Sequence, residues 1–318
     1  MHWLTLEKRS KYLRAIREIF WSWGFLEVDT PLIVARPGQE PFLDPFETRV
    51  EDAAGRPYQG YLITSPEYAM KKLLAKAALG EAPEFAKIFQ LGKVFRNNED
   101  FGGTHNPEFA MIEWYRLGAD YHTLMDDVEN LVRGLAGRDE IEFQGTKINI
   151  AKPWRRITIV EAFKEFAGRD DALELAADES EFFKVMLNEV EPKFRDLPYP
   201  IFLTEYPASM AALARKKESD PRVSERFECY IGGIEIANAF SELTDAAEQR
   251  ARFELEQKQR ADLGKTRIEL DEEFLSLLGH IPKAAGISIG VDRLVMLLED
   301  KRDINDVMFW PMKDLYVL

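Results

Sequence analysis

The 318-residue sequence predicts an α+β fold in which one antiparallel sheet is flanked by helices. Three observations point there. Residues 225–240 read as a β-hairpin turning at Gly232-Gly233, since a two-glycine turn matches the twist of paired strands. Residues 87–96 and 109–117 read as two further strands around a glycine-containing loop. Apolar residues recur at helical spacing around these strands, and no linker divides the chain. Residues 1–318 are therefore read as a single domain, with about 140–200 as a helical or irregular insertion.

Taken in order, Leu6, Leu13, Ile16, Ile19, Phe20 and Trp23 share a helix face over 6–23, which Gly24 ends. Residues 25–28 form a strand stopped before Pro31. Residues 35–60, rich in proline and glycine, read as loop, and 61–64 as a strand. A helix starts at Ser65-Pro66-Glu67 and runs to about Gly80. There serine caps, proline fits the first helical position and glutamate meets the positive helix end. Residues 121–135 form another helix. Between 140 and 200 a strand is mixed with acidic helices that show no chemistry. A long charged helix spans 244–263. The chain closes with a strand at 286–289, a turn at Gly290 and a helix containing Arg293.

With 46% hydrophobic and 31% charged residues, the composition is that of a folded globular protein. No apolar run is long enough to span a bilayer, so no membrane partner is expected. Cys229 is the only cysteine, which rules out an intrachain disulfide and suits a cytoplasmic protein. A net charge of −14 argues against phosphate-driven nucleic-acid binding and for a basic protein partner. Lys71-Lys72 and Arg215-Lys216-Lys217 read as short solvated faces.

Four constellations carry chemistry. Arg96 ends the first strand of a strand–loop–strand unit, where its planar fork of donors suits phosphate; Phe109 on the second strand offers a ring to a purine. Phe109, Met111, Glu113 and Tyr115 share one face of that strand, and a glutamate among large apolar groups calls for a cation such as a substrate ammonium. In the hairpin, pairing of Tyr230 with Glu235 and of Glu228 with Ala237 puts Glu228 and Glu235 diagonally on one face. Mg²⁺ carrying nucleotide phosphates would relieve their repulsion. Gly286 to Gly290 permits close backbone approach, and the helix that follows aims its positive end and Arg293 at an anion.

Together these segments resemble the three motifs of the class II aminoacyl-tRNA synthetase catalytic core. The first helix with Phe25-Leu26-Glu27-Val28-Asp29-Thr30-Pro31 resembles motif 1, Phe95-Arg96 through Glu113 motif 2, and Gly290-Val291-Asp292-Arg293 motif 3. Thr64-Ser65-Pro66-Glu67-Tyr68, His105-Asn106-Pro107-Glu108-Phe109 and Asn238-Ala239-Phe240-Ser241-Glu242-Leu243-Thr244-Asp245-Ala246 resemble the lysyl branch. Pro45-Phe46-Glu47-Thr48, Glu113-Trp114-Tyr115-Arg116 and Tyr206-Pro207-Ala208-Ser209 are similar to its free-standing paralogue, the elongation factor P lysine aminoacylase family, which lacks an anticodon-binding domain.

The resemblance implies an ATP-dependent ligase that forms the adenylate of (R)-β-lysine or lysine and transfers it to a lysine of elongation factor P. It implies a homodimer, ATP and Mg²⁺, and makes tRNA an unexpected acceptor. By matching position it gives Arg96 the α-phosphate and substrate carboxylate, and Arg293 the γ-phosphate. Glu228 and Glu235 take Mg²⁺-ATP, and Phe109 stacks on adenine. Glu99, His105 and Asn106 complete the nucleotide site, with Asn98 and Glu99 both open for the adenine contact. Glu67 meets the amino group nearer the carboxylate; Glu113, Tyr115 and Glu242 hold the distal ammonium; Ser65, Asn238 and Ser288 line the same pocket. Strict alternation would put Asn238 and Glu242 on the face opposite Glu235, so this implies a bulge or a strand end near Ala237. The motif 2 loop is one residue longer than the family pattern, and Ser288 stands where the family has glycine or alanine, which leaves the lysine isomer open. A truncated lysyl-tRNA synthetase and a non-catalytic sensor of amino acid or ATP are the rival readings.

Overall fold

The structure, a computed structural model, describes residues 3–316. At its centre are eight strands: β1 (Leu26–Glu27), β2 (Lys87–Phe95), β3 (Glu108–Leu117), β4 (Arg155–Thr158), β5 (Ile201–Thr204), β6 (Arg226–Ile231), β7 (Ile234–Ser241) and β8 (Ala284–Gly290). Their spatial order is β1-β2-β3-β8-β7-β6-β5-β4. Neighbours from β2 to β5 in that order pair antiparallel, and β1 and β4 join in parallel at the two edges. Five helices of eight or more residues flank the sheet: α1 (Trp3–Ser22), α2 (Glu67–Ala78), α3 (Tyr121–Ala136), α4 (Ala246–Asp262) and α5 (Val291–Leu298). None is long and apolar enough to cross a membrane.

Period-two alternation divides the sheet into a dry face and a polar one. Ile112 and Trp114 of β3, Ile287 and Ile289 of β8, Ala237 and Ala239 of β7, and Phe227 and Cys229 of β6 point one way. They pack with Ile16 and Phe20 of α1, Leu124, Val128 and Leu131 of α3, and Leu294 and Val295 of α5. Phe20 anchors this layer, edge-on to Phe25 at 5.0 Å and to Trp114 at 4.9 Å. The residues between them, including Glu113, Ser288, Asn238 and Glu228, lie in register across β3, β8, β7 and β6 on the other face.

The β6–β7 hairpin turns at Gly232-Gly233 as the sequence indicates, with Tyr230 opposite Glu235. One pairing differs: Ala237 lies opposite Cys229, and Glu228 faces Asn238. Ile236 is the extra residue of a bulge, so Ile236 and Ala237 both turn to the core. The strand therefore changes phase, and Glu235, Asn238 and Glu242 end on one face.

Elsewhere the element boundaries shift. Pro66, not Ser65, is the residue before α2, and Ser65 Oγ accepts from Glu67 N at 3.1 Å. The 35–60 loop contains a strand, Glu47–Glu51, paired with Pro57–Leu62. Besides its short helical pieces between Ile159 and Asp196, the 140–200 segment holds a hairpin, Glu140–Phe143 with Thr146–Asn149, and supplies β4. It also builds a second apolar cluster around Phe163, Phe182 and Phe194, which sequence reading had no partner strand to place.

Candidate active site

Two cavities open on the polar face of the sheet. The larger, about 800 Å³, is lined by Glu40, Ser65, Glu67, Arg96, Met111, Glu113, Tyr115, Asn238, Phe240, Gly286 and Ser288, with Arg252 and Glu256 of α4 on its outer wall. The smaller, about 110 Å³, is lined by Arg96, Glu99, Thr104, His105, Asn106, Phe109, Glu235, Asn238, Ser288, Gly290, Asp292 and Arg293. Arg96, Met111, Asn238 and Ser288 belong to both walls.

The small cleft sets two arginines, Arg96 and Arg293, among Glu99, Glu235 and Asp292. Arg293 lies in the first turn of α5, where the helix end adds positive potential. Its Nε donates to Thr104 O at 3.0 Å and its Nη1 to Glu235 Oε2 at 3.2 Å, while Nη2 meets His105 Nε2 at 2.9 Å. Burial and the Arg293 charge hold His105 below its usual range, which keeps its ring neutral as an acceptor. Arg96 sits over the Phe109 ring at 5.2 Å, and its buried Nε has no hydrogen-bond partner. An unanswered buried guanidinium is poised for an anion. Asn98 and Glu99 are distinguished by geometry: Asn98 Nδ2 donates to Asp44 Oδ2 at 3.0 Å, whereas Glu99 lines the cleft. Asn106 lines the cleft and is also held by its neighbours. Its Nδ2 donates to Glu108 O at 2.6 Å and its Oδ1 accepts from Met312 N at 3.0 Å, so its amide braces the loop.

Glu228 lies beside the cleft rather than in its lining. Its Oε1 accepts from Arg226 at 2.7 Å, and its Oε2 from Tyr206 at 2.5 Å and Tyr230 at 2.7 Å. Burial, then the Glu228 charge, raises Glu235 above the ordinary carboxylate range. A third carboxylate, Glu191, comes from the segment that showed no chemistry in the sequence; it accepts from Tyr230 at 3.1 Å and is pushed up to about 7 by burial and then by Glu228. Its only signal was its charge. Such mutually repelling carboxylates fit a hard cation that keeps phosphate oxygens among its ligands.

The large cavity is acidic at its floor. Glu113 is 2% exposed and accepts from Ser65 at 2.8 Å and Tyr115 at 2.6 Å. Burial, then Glu67, pushes Glu113 up to about 8, and burial does the same to Glu242. Gly286 has no side chain because a Cβ there would strike the Tyr115 ring and Glu242 Oε1. Lys71 is not a solvated face: its side chain is fully buried between Glu67, at 2.5 Å, and Glu242. The sequence could not show this, since Glu242 arrives from the far end of β7. Glu40 and Glu256 are further carboxylates that sequence reading missed, both raised by burial, Glu256 to about 8.

Asp292 joins the cleft to the rest of the chain. It is 1% exposed, accepts from Arg9 Nη2 of α1 at 2.6 Å, and takes Ala110 N of β3 at 2.7 Å.

Residues 3–314 match the family model for class II tRNA synthetases (D, K and N). The chain belongs to that family of ATP-dependent ligases, and within it to the group of elongation factor P–(R)-β-lysine ligases. It is 38% identical to the elongation factor P–(R)-β-lysine ligase of Hamiltonella defensa, over 97% of this chain and 95% of that one. The corresponding ligase of Proteus mirabilis is 37% identical over the same shares. A lysine–tRNA ligase of Pelotomaculum thermopropionicum is also 37% identical, but this chain spans only 63% of its length.

Proposed function

We propose that the protein activates (R)-β-lysine or lysine with ATP and transfers it to a lysine side chain of elongation factor P. One observation carries this reading: Arg96, with its free buried Nε, lies on the wall shared by a large acidic cavity and a smaller cleft that holds Arg293. A carboxylate and an α-phosphate can both reach it there.

In this reading Glu67 receives the amino group nearer the carboxylate. Glu113, Tyr115 and Glu242 receive the distal ammonium, with Ser65, Asn238 and Ser288 completing the pocket. Phe109 stacks on adenine, Glu99 and His105 border it, and Arg293 takes the γ-phosphate. Glu228 and Glu235 would hold Mg²⁺, which supplies charge neutralisation on the phosphates. The substrate carboxylate attacks the α-phosphorus, the bond to the bridging oxygen breaks, and pyrophosphate leaves. The acceptor amine then attacks the acyl carbon, AMP leaves, an amide forms and the amine loses a proton. Positioning and charge stabilisation by Arg96 and Arg293 do the catalytic work, with no side-chain nucleophile.

The chain acts as one class II catalytic domain, as a homodimer and in the cytoplasm, where an elongation factor works. Exposed Trp3, Leu4, Trp21, Leu26 and Ile33, on α1 and the strands after it, suit a self-association face. The test is incubation with ATP, each lysine isomer, elongation factor P and lysine tRNA, read by intact mass. Label on the protein supports the proposal; label on tRNA alone, or ATP bound without turnover, refutes it. Arg96→Ala should lower lysine-dependent pyrophosphate exchange about 10²–10³-fold, and an undiminished rate would refute its role.

A further inference from the structure

Lys71 takes no part in the reaction just described, yet it is the only lysine among the buried charged residues described. Its ammonium bridges two elements. Glu67 Oε1 lies 2.5 Å away, one turn earlier on α2, and Glu242 is in ion-pair contact just past the end of β7. The Phe240 ring centroid is 5.6 Å from it. Lys71 is the cation that meets Glu242, by ion contact and side-chain hydrogen bond, so Lys71 is what holds that carboxylate.

Two further carboxyl groups feel this ammonium: Glu113 from β3 and Glu40 from the loop before Glu47–Glu51. At the cavity floor, three carboxylates (Glu67, Glu113 and Glu242) surround one fixed ammonium. With Glu40 also on this cavity, carboxyl groups outnumber the one fixed ammonium, an acidic surplus that suits the ammonium groups of a dibasic amino acid whose carboxylate goes to Arg96. Without Lys71, Glu67 and Glu242 would repel each other and leave an ammonium-sized gap for the substrate to enter wrongly.

We infer that Lys71 is a positioning residue, which holds Glu67 and Glu242 at the separation and net charge that fit a diammonium substrate. The inference rests on the amino-acid reading of the large cavity. Lys71 also lowers the proton affinity of Glu113, Glu242 and Glu40, against the larger effect of burial. Its removal should therefore keep these carboxylates protonated to higher pH.

The test is pyrophosphate exchange by wild type and Lys71→Met at about pH 7 and about pH 9. We expect the KM for the amino acid to rise at least about tenfold at the lower pH and to return within about threefold of wild type at the higher. The KM for ATP should stay within about twofold at both. An unchanged amino-acid KM, or one raised equally at both pH values, overturns the inference. If Lys71→Met does not fold, the double variant Lys71→Met, Glu242→Gln removes both charges and is compared with Glu242→Gln alone. Amino-acid KM values within about threefold of each other support action through Glu242, and a further tenfold loss overturns it. Wild-type silence with every lysine isomer would instead remove the amino-acid reading, and this inference with it.

Discussion

Single side chains decide the shape of the larger cavity. Gly286 is a clear case, because its missing Cβ is the space that Tyr115 and Glu242 occupy. Gly286→Ala should cost about 1–3 kcal/mol of stability through overpacking and weaken lysine binding while ATP still binds. Calorimetric titration with each ligand checks this, and equal loss of both would refute the assignment. Residues singled out by their own type and neighbours were legible as pocket candidates: Arg96, Arg293, Glu235 and Glu113 all line the cavities. Lys71 was not, because a helical lysine looks solvated until a carboxylate from another element is placed over it. The brace on Asn106 was silent for the same reason, since its backbone partners include Met312 at the other end of the chain.

At the scale of elements, hairpins and amphipathic helices were readable because their partners are close in sequence. The β6–β7 turn follows from two adjacent glycines, and both have positive φ, of 59° and 76°. The need for a bulge or a strand end was also readable, but not which of the two, nor Ile236 as the site, since apolar neighbours at 236 and 237 suit either register. The parallel edge strand β4 escaped notice because its partner β5 lies more than forty residues on. Long-range braces are similarly silent. Asp292 ties α5 to α1 through Arg9 and to β3 through the Ala110 amide. Asp292→Ala strands a buried guanidinium and should lower unfolding free energy by about 3–5 kcal/mol. A urea midpoint close to that of wild type would contradict this.

For the whole molecule, the collected carboxylates set a pH dependence. Glu113, Glu242 and Glu256 are pushed up to about 8, and Glu191 to about 7, from an ordinary 4.5. Between about 4.5 and 8 the folded chain therefore binds more protons than the unfolded one, and these groups make stability fall as pH rises. His105, held below 6.5, acts in the opposite sense over a narrower range. Tm should decline from about pH 5 to about pH 8, and saturating lysine, by supplying ammonium groups, should flatten the decline. Calorimetric scans with and without lysine check both, and a Tm that climbs across this range would refute the account.

Arg96 stands on the partition between the two cavities, so a ligand in either chamber borders the same guanidinium. Any factor by which a nucleotide in the cleft changes the hold on an amino acid must be returned unchanged when the order of arrival is reversed. The two ligands are thermodynamically reciprocal through one guanidinium, and the enzyme's apparent preference for either depends on how much of its companion is present.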